Sequence, residues 1–177
     1  KKSTEVIENN ALYVFENNPD KIFIKNSTET IWQFMPAFAG KNTDEGTLFF
    51  IASGPPQIVA LSTSLVNSFA TNDVRKLRWI SAVSNASGTW YYASKYKEPR
   101  STPVSREYSI VLRLTEQFLI RAEARAQQEN HAGAKDDLNK IRNRAGLTDV
   151  TSGSKEAILD AIAEERKKEL FTEYGHR

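Results

Sequence analysis

VLRLTEQFLIRAEARAQQ (residues 111–128), followed by a second apolar-periodic run over 132–145 and a third opening at Ser154, decides the fold of this chain. In the first run Leu112, Thr115, Leu119, Ala122 and Ala126 recur at the three-then-four spacing that places side chains on one helical face. Val111, Leu114 and Phe118 widen that face, so the helix is expected to be covered from two sides, as in stacked helical hairpins. The second helix is expected over roughly 132–145, with Ala134, Leu138, Ile141 and Ala145 as its stripe. Gly146 followed by Leu147 reads as a left-handed cap with its hydrophobic contact, which ends that helix.

The third helix is predicted to start from Ser154 as N-cap, with Glu156 in the first turn, where a carboxylate favours the positive end of the helix dipole. Ile158, Ala161 and Ile162 begin its apolar face, and helical spacing carries that face into Glu165 and Glu169. Buried carboxylates require partners, and Arg121, Arg142, Arg144 and Arg166 are the candidates. Against the tetratricopeptide pattern, Phe118 falls at the large position and Ala122 at the small one, while Ala134, Leu138 and Ile141 occupy those of the second helix. One such hairpin is clear, and the loop at 148–153 interrupts any longer array.

Upstream, residues 3 to 16 are expected to be helical, with Ile7, Ala11 and Val14 on one face and the NNPD turn (17–20) after it. Phe23 and Ile24, then Ile31, Trp32 and Phe34, read as short extended segments. From 35 to 62 glycines and prolines punctuate a long irregular stretch. Ser62 or Ser64 caps a short helix carrying Leu65, Val66 and Phe69. Trp79 and Ile80, then Trp90, Tyr91 and Tyr92, then Tyr96, read as strand pieces, with Gly88 in the intervening turn.

LRLTEQFLIRAEA (112–124), DLNKIRNRAGL (137–147) and AIAEERKKELFTEYGHR (161–177) closely resemble, in order and spacing, the C-terminal signature of the SusD/RagB family of bacterial surface lipoproteins. TETIWQF (28–34), LSTSLVNSF (61–69), NDVRKLRWI (72–80) and YYASKYK (91–97) are similar to the family's middle landmarks. The resemblance implies a mainly α fold of tetratricopeptide-like helical hairpins with long irregular insertions and a few short strands. It implies a single domain over 1–177, made of a helix plus insertion region (1–104) and a three-helix C-terminal segment (105–177). It further implies oligosaccharide binding at the cell surface and delivery to a SusC-type TonB-dependent transporter, without catalysis or cofactor. An export signal, a lipidated cysteine that anchors the protein to the outer membrane, and further helices are expected upstream, and a continuation beyond Arg177.

Composition fits that expectation. The chain has 177 residues, 40% of them hydrophobic, enough for a core, and a net charge of +2 that gives no electrostatic case for nucleic acid or an anionic membrane. The arginines and lysine of 140–144 are offset by Glu129, Asp136 and Asp137 nearby. It has no cysteine, which excludes disulfides and a lipid anchor within these residues.

Sugar recognition uses flat rings against C–H faces together with amides and charged groups for hydroxyls, which singles out Trp79, Trp90, Tyr91, Tyr92 and Tyr96. Trp79, Tyr91, Tyr92 and Tyr96 lie in the landmark strings, which favours core packing for them. Trp90 follows a polar, glycine-bearing turn and leads a ligand-contact set of Trp90, Tyr91 and Tyr92. Catalysis is disfavoured: Glu164 and Glu165, like Asp136 and Asp137, diverge by about 100° as helical neighbours. The two histidines, His131 and His176, have no metal-ligand spacing, and neither a nucleophile elbow nor a phosphate-binding glycine loop exists. Two other readings compete with sugar capture: a peptide-binding surface protein of the RagB type, and a tetratricopeptide-like scaffold for partner proteins.

Overall fold

The computed structural model describes residues 1–174. Its elements are, in chain order, α1 (Lys2–Ile7), a 3-10 turn (Pro19–Lys21), β1 (Thr30–Phe34), α2 (Asp44–Phe49), α3 (Thr63–Ser68), α4 (Val74–Trp79), β2 (Ile80–Asn85), β3 (Gly88–Ala93), β4 (Ser109–Arg113), α5 (Leu114–Gln127), α6 (His131–Arg144) and α7 (Lys155–Leu170). The fold is mainly helical, with long irregular insertions and two two-stranded sheets, β1–β4 and β2–β3, among the described residues. The chain divides into two compact units. One comprises Lys1–Asn18, Thr28–Trp32 and the chain from Val111 onward; the other comprises Pro19–Ser27 and Gln33–Ile110.

The helical unit is built around α5, α6 and α7. Leu114, Phe118, Leu119, Ala122 and Ala126 from α5 meet Ala134, Leu138 and Ile141 from α6 and Ile158, Ile162 and Leu170 from α7 in one buried cluster. The alanines let α5 and α6 approach closely, since a larger side chain at a fully buried position would have to displace a neighbour. Phe15 closes the cluster edge-on against Phe118, with ring centroids 5.5 Å apart. The expected caps are present. Ser154 accepts from the Ala157 amide; at the start of α6 Asn130, a cap not anticipated from the sequence, accepts from Gly133. At the end of α6 Gly146 has φ 75°, the Leu147 amide donates to the Arg142 carbonyl at 2.9 Å, and Gly146 donates to Asn143 at 3.0 Å. This is the paired-bond glycine stop anticipated from Gly146–Leu147.

Several local expectations are corrected. The first helix stops at Ile7 instead of running to 16, because Asn9 and Asn10 favour turns and Val14 then donates to the Thr28 carbonyl. The hairpin's first helix begins at Leu114: Ser109–Arg113 forms β4, and Leu112, assigned to the buried helical face, is exposed. Branched Ile110 and Val111 favour that strand. Phe23 and Ile24 lie in a series of bends, and Tyr96 also lies outside any strand. Phe23 is nonetheless buried, packing edge-on against Trp79 and Tyr96 at 5.5 and 5.3 Å. Aromatic clustering in this stretch reflects core formation, not a ladder.

Trp79 ends a helix. Asp73 caps α4 by accepting from the Arg75 amide at 3.0 Å, and its carboxylate also holds the Arg75 guanidinium, with both residues buried. The stretch 35–62 contains one short helix, α2, capped by Thr43. Ser62, not Ser64, caps α3.

Candidate functional site

In the insertion unit β2 and β3 form an antiparallel hairpin whose register pairs Val83 with Trp90, Ala82 with Tyr91 and Ser81 with Tyr92. Strand alternation therefore separates the three candidate aromatics: Trp90 and Tyr92 share one face and Tyr91 takes the other. They do not form one continuous platform. Trp90 is half-buried, and its indole lies so close to Gly54 that a Cβ added there would stand 2.0 Å from two ring carbons. Asn85 Nδ2 donates to the Gly54 carbonyl at 2.6 Å beside it. Tyr91 is joined to the same loop from the other end, its carbonyl accepting from the Leu61 amide at 2.8 Å. The hairpin thus holds the loop of residues 54–61 at both ends.

Tyr92 meets Phe50 edge-on, with centroids 5.7 Å apart, and the pair forms part of the wall of a cleft of about 180 Å³. Gly46, Ser81, Ser94, Tyr96 and Lys97 also line it. Ser81 Oγ donates to Ser94 Oγ at 2.9 Å, and the Tyr96 hydroxyl accepts from the Ile110 amide at 2.8 Å. Lys97 Nζ donates to the Ser94 carbonyl at 2.6 Å and to the Arg78 carbonyl. The cleft therefore combines aromatic surface, a hydroxyl pair and one ammonium, the mixture that recognises polyols. Sequence reasoning missed Ser81, Ser94, Phe50 and Lys97, because only pairing of β2 with β3 and the approach of α2 assemble them.

Behind the cleft, the buried Glu107 carboxylate accepts from the Lys97 and Glu98 amides at 2.5 and 3.1 Å. Burial raises its pKa, against the lowering effect of those two hydrogen bonds. Burial also lowers the pKa of Lys97, offset in part by the charges of Asp20 and Glu107. A carboxyl whose folded pKa lies above its unfolded value binds more protons when folded, so its contribution to stability is greatest below the ordinary carboxylate value and declines as pH rises through the raised value. The difference in unfolding free energy between the native chain and Glu107→Gln should shift against the native chain as pH rises from about 4.5, measured by urea denaturation across pH. A difference independent of pH would show that Glu107 titrates as it does in the unfolded chain.

The acids of the helical unit are held by arginines. Glu165 meets Arg142 at 3.2 Å, and Glu169 meets Arg144 at 2.6 Å and Arg113 at 2.9 Å. Of the anticipated partners, Arg121 instead grips Asp137 in a fork at 2.7 and 2.9 Å, and Arg166 reaches Glu123. Arg113 and Glu29 were missed. His131 stands 3.1 Å from Glu129, and no group of residues suited to a metal occurs among the described residues. His176 lies outside them. No helix among the described residues is long and apolar enough to cross a membrane.

A hairpin-based helical unit and an insertion unit carrying a β-hairpin and an aromatic-walled cleft define a class of mainly helical proteins with irregular insertions. The family description "SusD family" matches residues 37–177, and the chain belongs to that family. Solved structures share the fold. A SusD superfamily protein from Parabacteroides distasonis is 21% identical with a TM-score of 0.78, covering 96% of this chain and 43% of its own. A SusD homolog from Bacteroides thetaiotaomicron is 23% identical with a TM-score of 0.75, covering 98% and 42%. The surface glycan-binding protein A from Bacteroides uniformis is 17% identical with a TM-score of 0.71, covering 95% and 41%. The chain thus spans less than half the length of these relatives. No curated protein matches it.

Proposed function

We propose that this chain belongs to a cell-surface glycan-binding protein that captures oligosaccharide and passes it to a SusC-type TonB-dependent transporter, working at the outer membrane as a lipid-anchored, non-catalytic binder. The observation that carries the binding reading is the cleft of Tyr92, Phe50, Ser81, Ser94 and Lys97 in the insertion unit. Family membership and the fold shared with a surface glycan-binding protein support it. Tyr92 and Trp90, on one face of β3, are the proposed ring contacts, and Tyr91 remains a candidate on the opposite face. The role proposed for the helical unit is support: its buried acids are paired with arginines, which suits a rigid framework better than bond cleavage.

Affinity electrophoresis of the full-length protein against a panel of polysaccharides tests the reading. Retardation by at least one polysaccharide, weakened roughly tenfold in Tyr92→Ala, is the expected result for loss of an aromatic contact. A protein retarded by none, yet bound by members of a peptide library, would replace sugar with peptide as the ligand. Co-purification with a TonB-dependent transporter tests the hand-off.

A further inference from the structure

Among the described residues, Lys97 is the one charged residue lining the cleft. Its ammonium is held by two neutral carbonyls, those of Ser94 and Arg78, which fix its position without neutralising it. Asp20 and Glu107, whose charges act on this ammonium, are not among the lining residues, and the carboxylates nearby bond to other groups. Glu107 accepts from the Lys97 and Glu98 amides, Glu98 pairs with Arg106 at 2.9 Å, and Asp20 pairs with Arg78 at 3.3 Å. An ammonium has three donors, so one remains after the two carbonyls. Next to it, Ser81 donates to Ser94 Oγ, which leaves the Ser94 hydroxyl hydrogen as a donor. Tyr92 and Phe50 supply apolar wall.

Fixed donors, one of them positively charged, beside aromatic carbon and with no acidic side chain among the described lining residues match a ring that carries both hydroxyls and an anion. We propose that this cleft binds an anionic sugar residue, with Lys97 receiving its carboxylate or sulfate and Ser94 a neighbouring oxygen. The assignment rests on the glycan-binding reading above and narrows it. A cleft of about 180 Å³ has room for little more than one sugar ring, so it reads a single charged residue and not a stretch of chain. Charge-assisted hydrogen bonds of this kind are about twice as strong as neutral ones.

The test is a defined oligosaccharide array with three arms, uronate-bearing, sulfated and neutral, probed with the full-length protein and with Lys97→Met and Ser81→Leu. The second variant fills the cleft while leaving the lysine and its carbonyl bonds in place, and melting curves accompany both. Binding to the uronate or the sulfated arm that falls roughly tenfold or more in Lys97→Met, and is lost in Ser81→Leu, is expected, and the arm that binds identifies the anion. Should Lys97→Met fail to fold, loss of anionic binding in a folded Ser81→Leu gives the same support. Binding confined to the neutral arm, or anionic binding unchanged by a folded Ser81→Leu, overturns the anionic cleft while leaving glycan capture standing. Absence of binding in all three arms overturns both.

Discussion

Arg113→Ala is expected to destabilise the helical unit by about 3–5 kcal/mol, the range for removing one partner of a buried ion pair. Arg113 ends β4 with its side chain 1% exposed, and it meets three carboxylates: Glu169 at 2.9 Å, Glu173 at 2.7 Å and Glu29 at 3.6 Å. A second arginine, Arg144, bonds Glu169 and Glu29, and Thr115 donates to Glu29. Without Arg113, Glu29 and Glu169 would have to share Arg144 and Glu173 would lose its 2.7 Å ion pair, and burial of an uncompensated carboxylate is far more costly than loss of a surface bridge. The three acids also hold the guanidinium pKa well above its ordinary value, against the desolvation that would lower it. Urea denaturation of the full-length protein, followed by a probe in the helical unit, measures the loss. A change below about 1 kcal/mol would mean that water enters the network and solvates the acids.

The array can also be tested for what it contributes besides cohesion. Replacing a buried ionic cluster with apolar residues of similar volume is often neutral or stabilising, whereas breaking it is not. Arg113→Met paired with Glu169→Met should therefore lose less stability than Arg113→Ala alone.

Trp79→Ala is the second large effect, expected at about 3–5 kcal/mol, the range for truncating a buried aromatic side chain. Trp79 is fully buried in the insertion unit, where Phe23 meets it edge-on and the Lys95 ammonium lies 4.9 Å from its ring centroid. Its indole N–H donates to the Pro19 carbonyl at 3.3 Å. Truncation would leave a large cavity, remove the ring beneath a buried lysine and free a carbonyl. Thermal melting together with hydrogen exchange over 19–110 should show the loss in the insertion unit. An unchanged melting temperature would place Trp79 outside the core and return it to the set of sugar candidates. The cleft depends on this core, because Tyr96 packs on Phe23 while also lining the cleft.

The hairpin of α5 and α6 was legible because its information is local. Phe118, Leu119 and Ala122, then Ala134, Leu138 and Ile141, carry the helical period themselves, and Ser154, Gly146 and Leu147 mark the ends through bonds to residues three to five positions away. The insertion unit was less so. Asp73 before Val74 is a readable cap, but the aromatic and β-branched pair of Trp79 and Ile80 reads as a strand and masks the helix. Leu112 obeyed the helical spacing yet sits on β4, since periodicity does not fix where the first turn closes. Among the residues lining the cleft, Tyr92 stands out in the sequence because an aromatic advertises its chemistry. Ser81, Ser94 and Lys97 carry no such signal until β2 lies against β3.

Sequence alone determined the helical framework, its caps, the presence of two acids on an apolar face and the family to which the chain is similar. Tertiary structure decided which charges meet. Arg144 reaches Glu29 across 115 positions and Arg113 reaches Glu169 across 56, so both pairings depend on how helices and strands pack. The same holds for the cleft, where Ser81 on β2 and Phe50 after α2 meet the segment that carries Ser94 and Lys97. Helix periodicity and capping act over a single turn and are written into neighbouring residues, whereas ion pairing and cleft formation depend on distances between segments that become fixed only when burial brings them together.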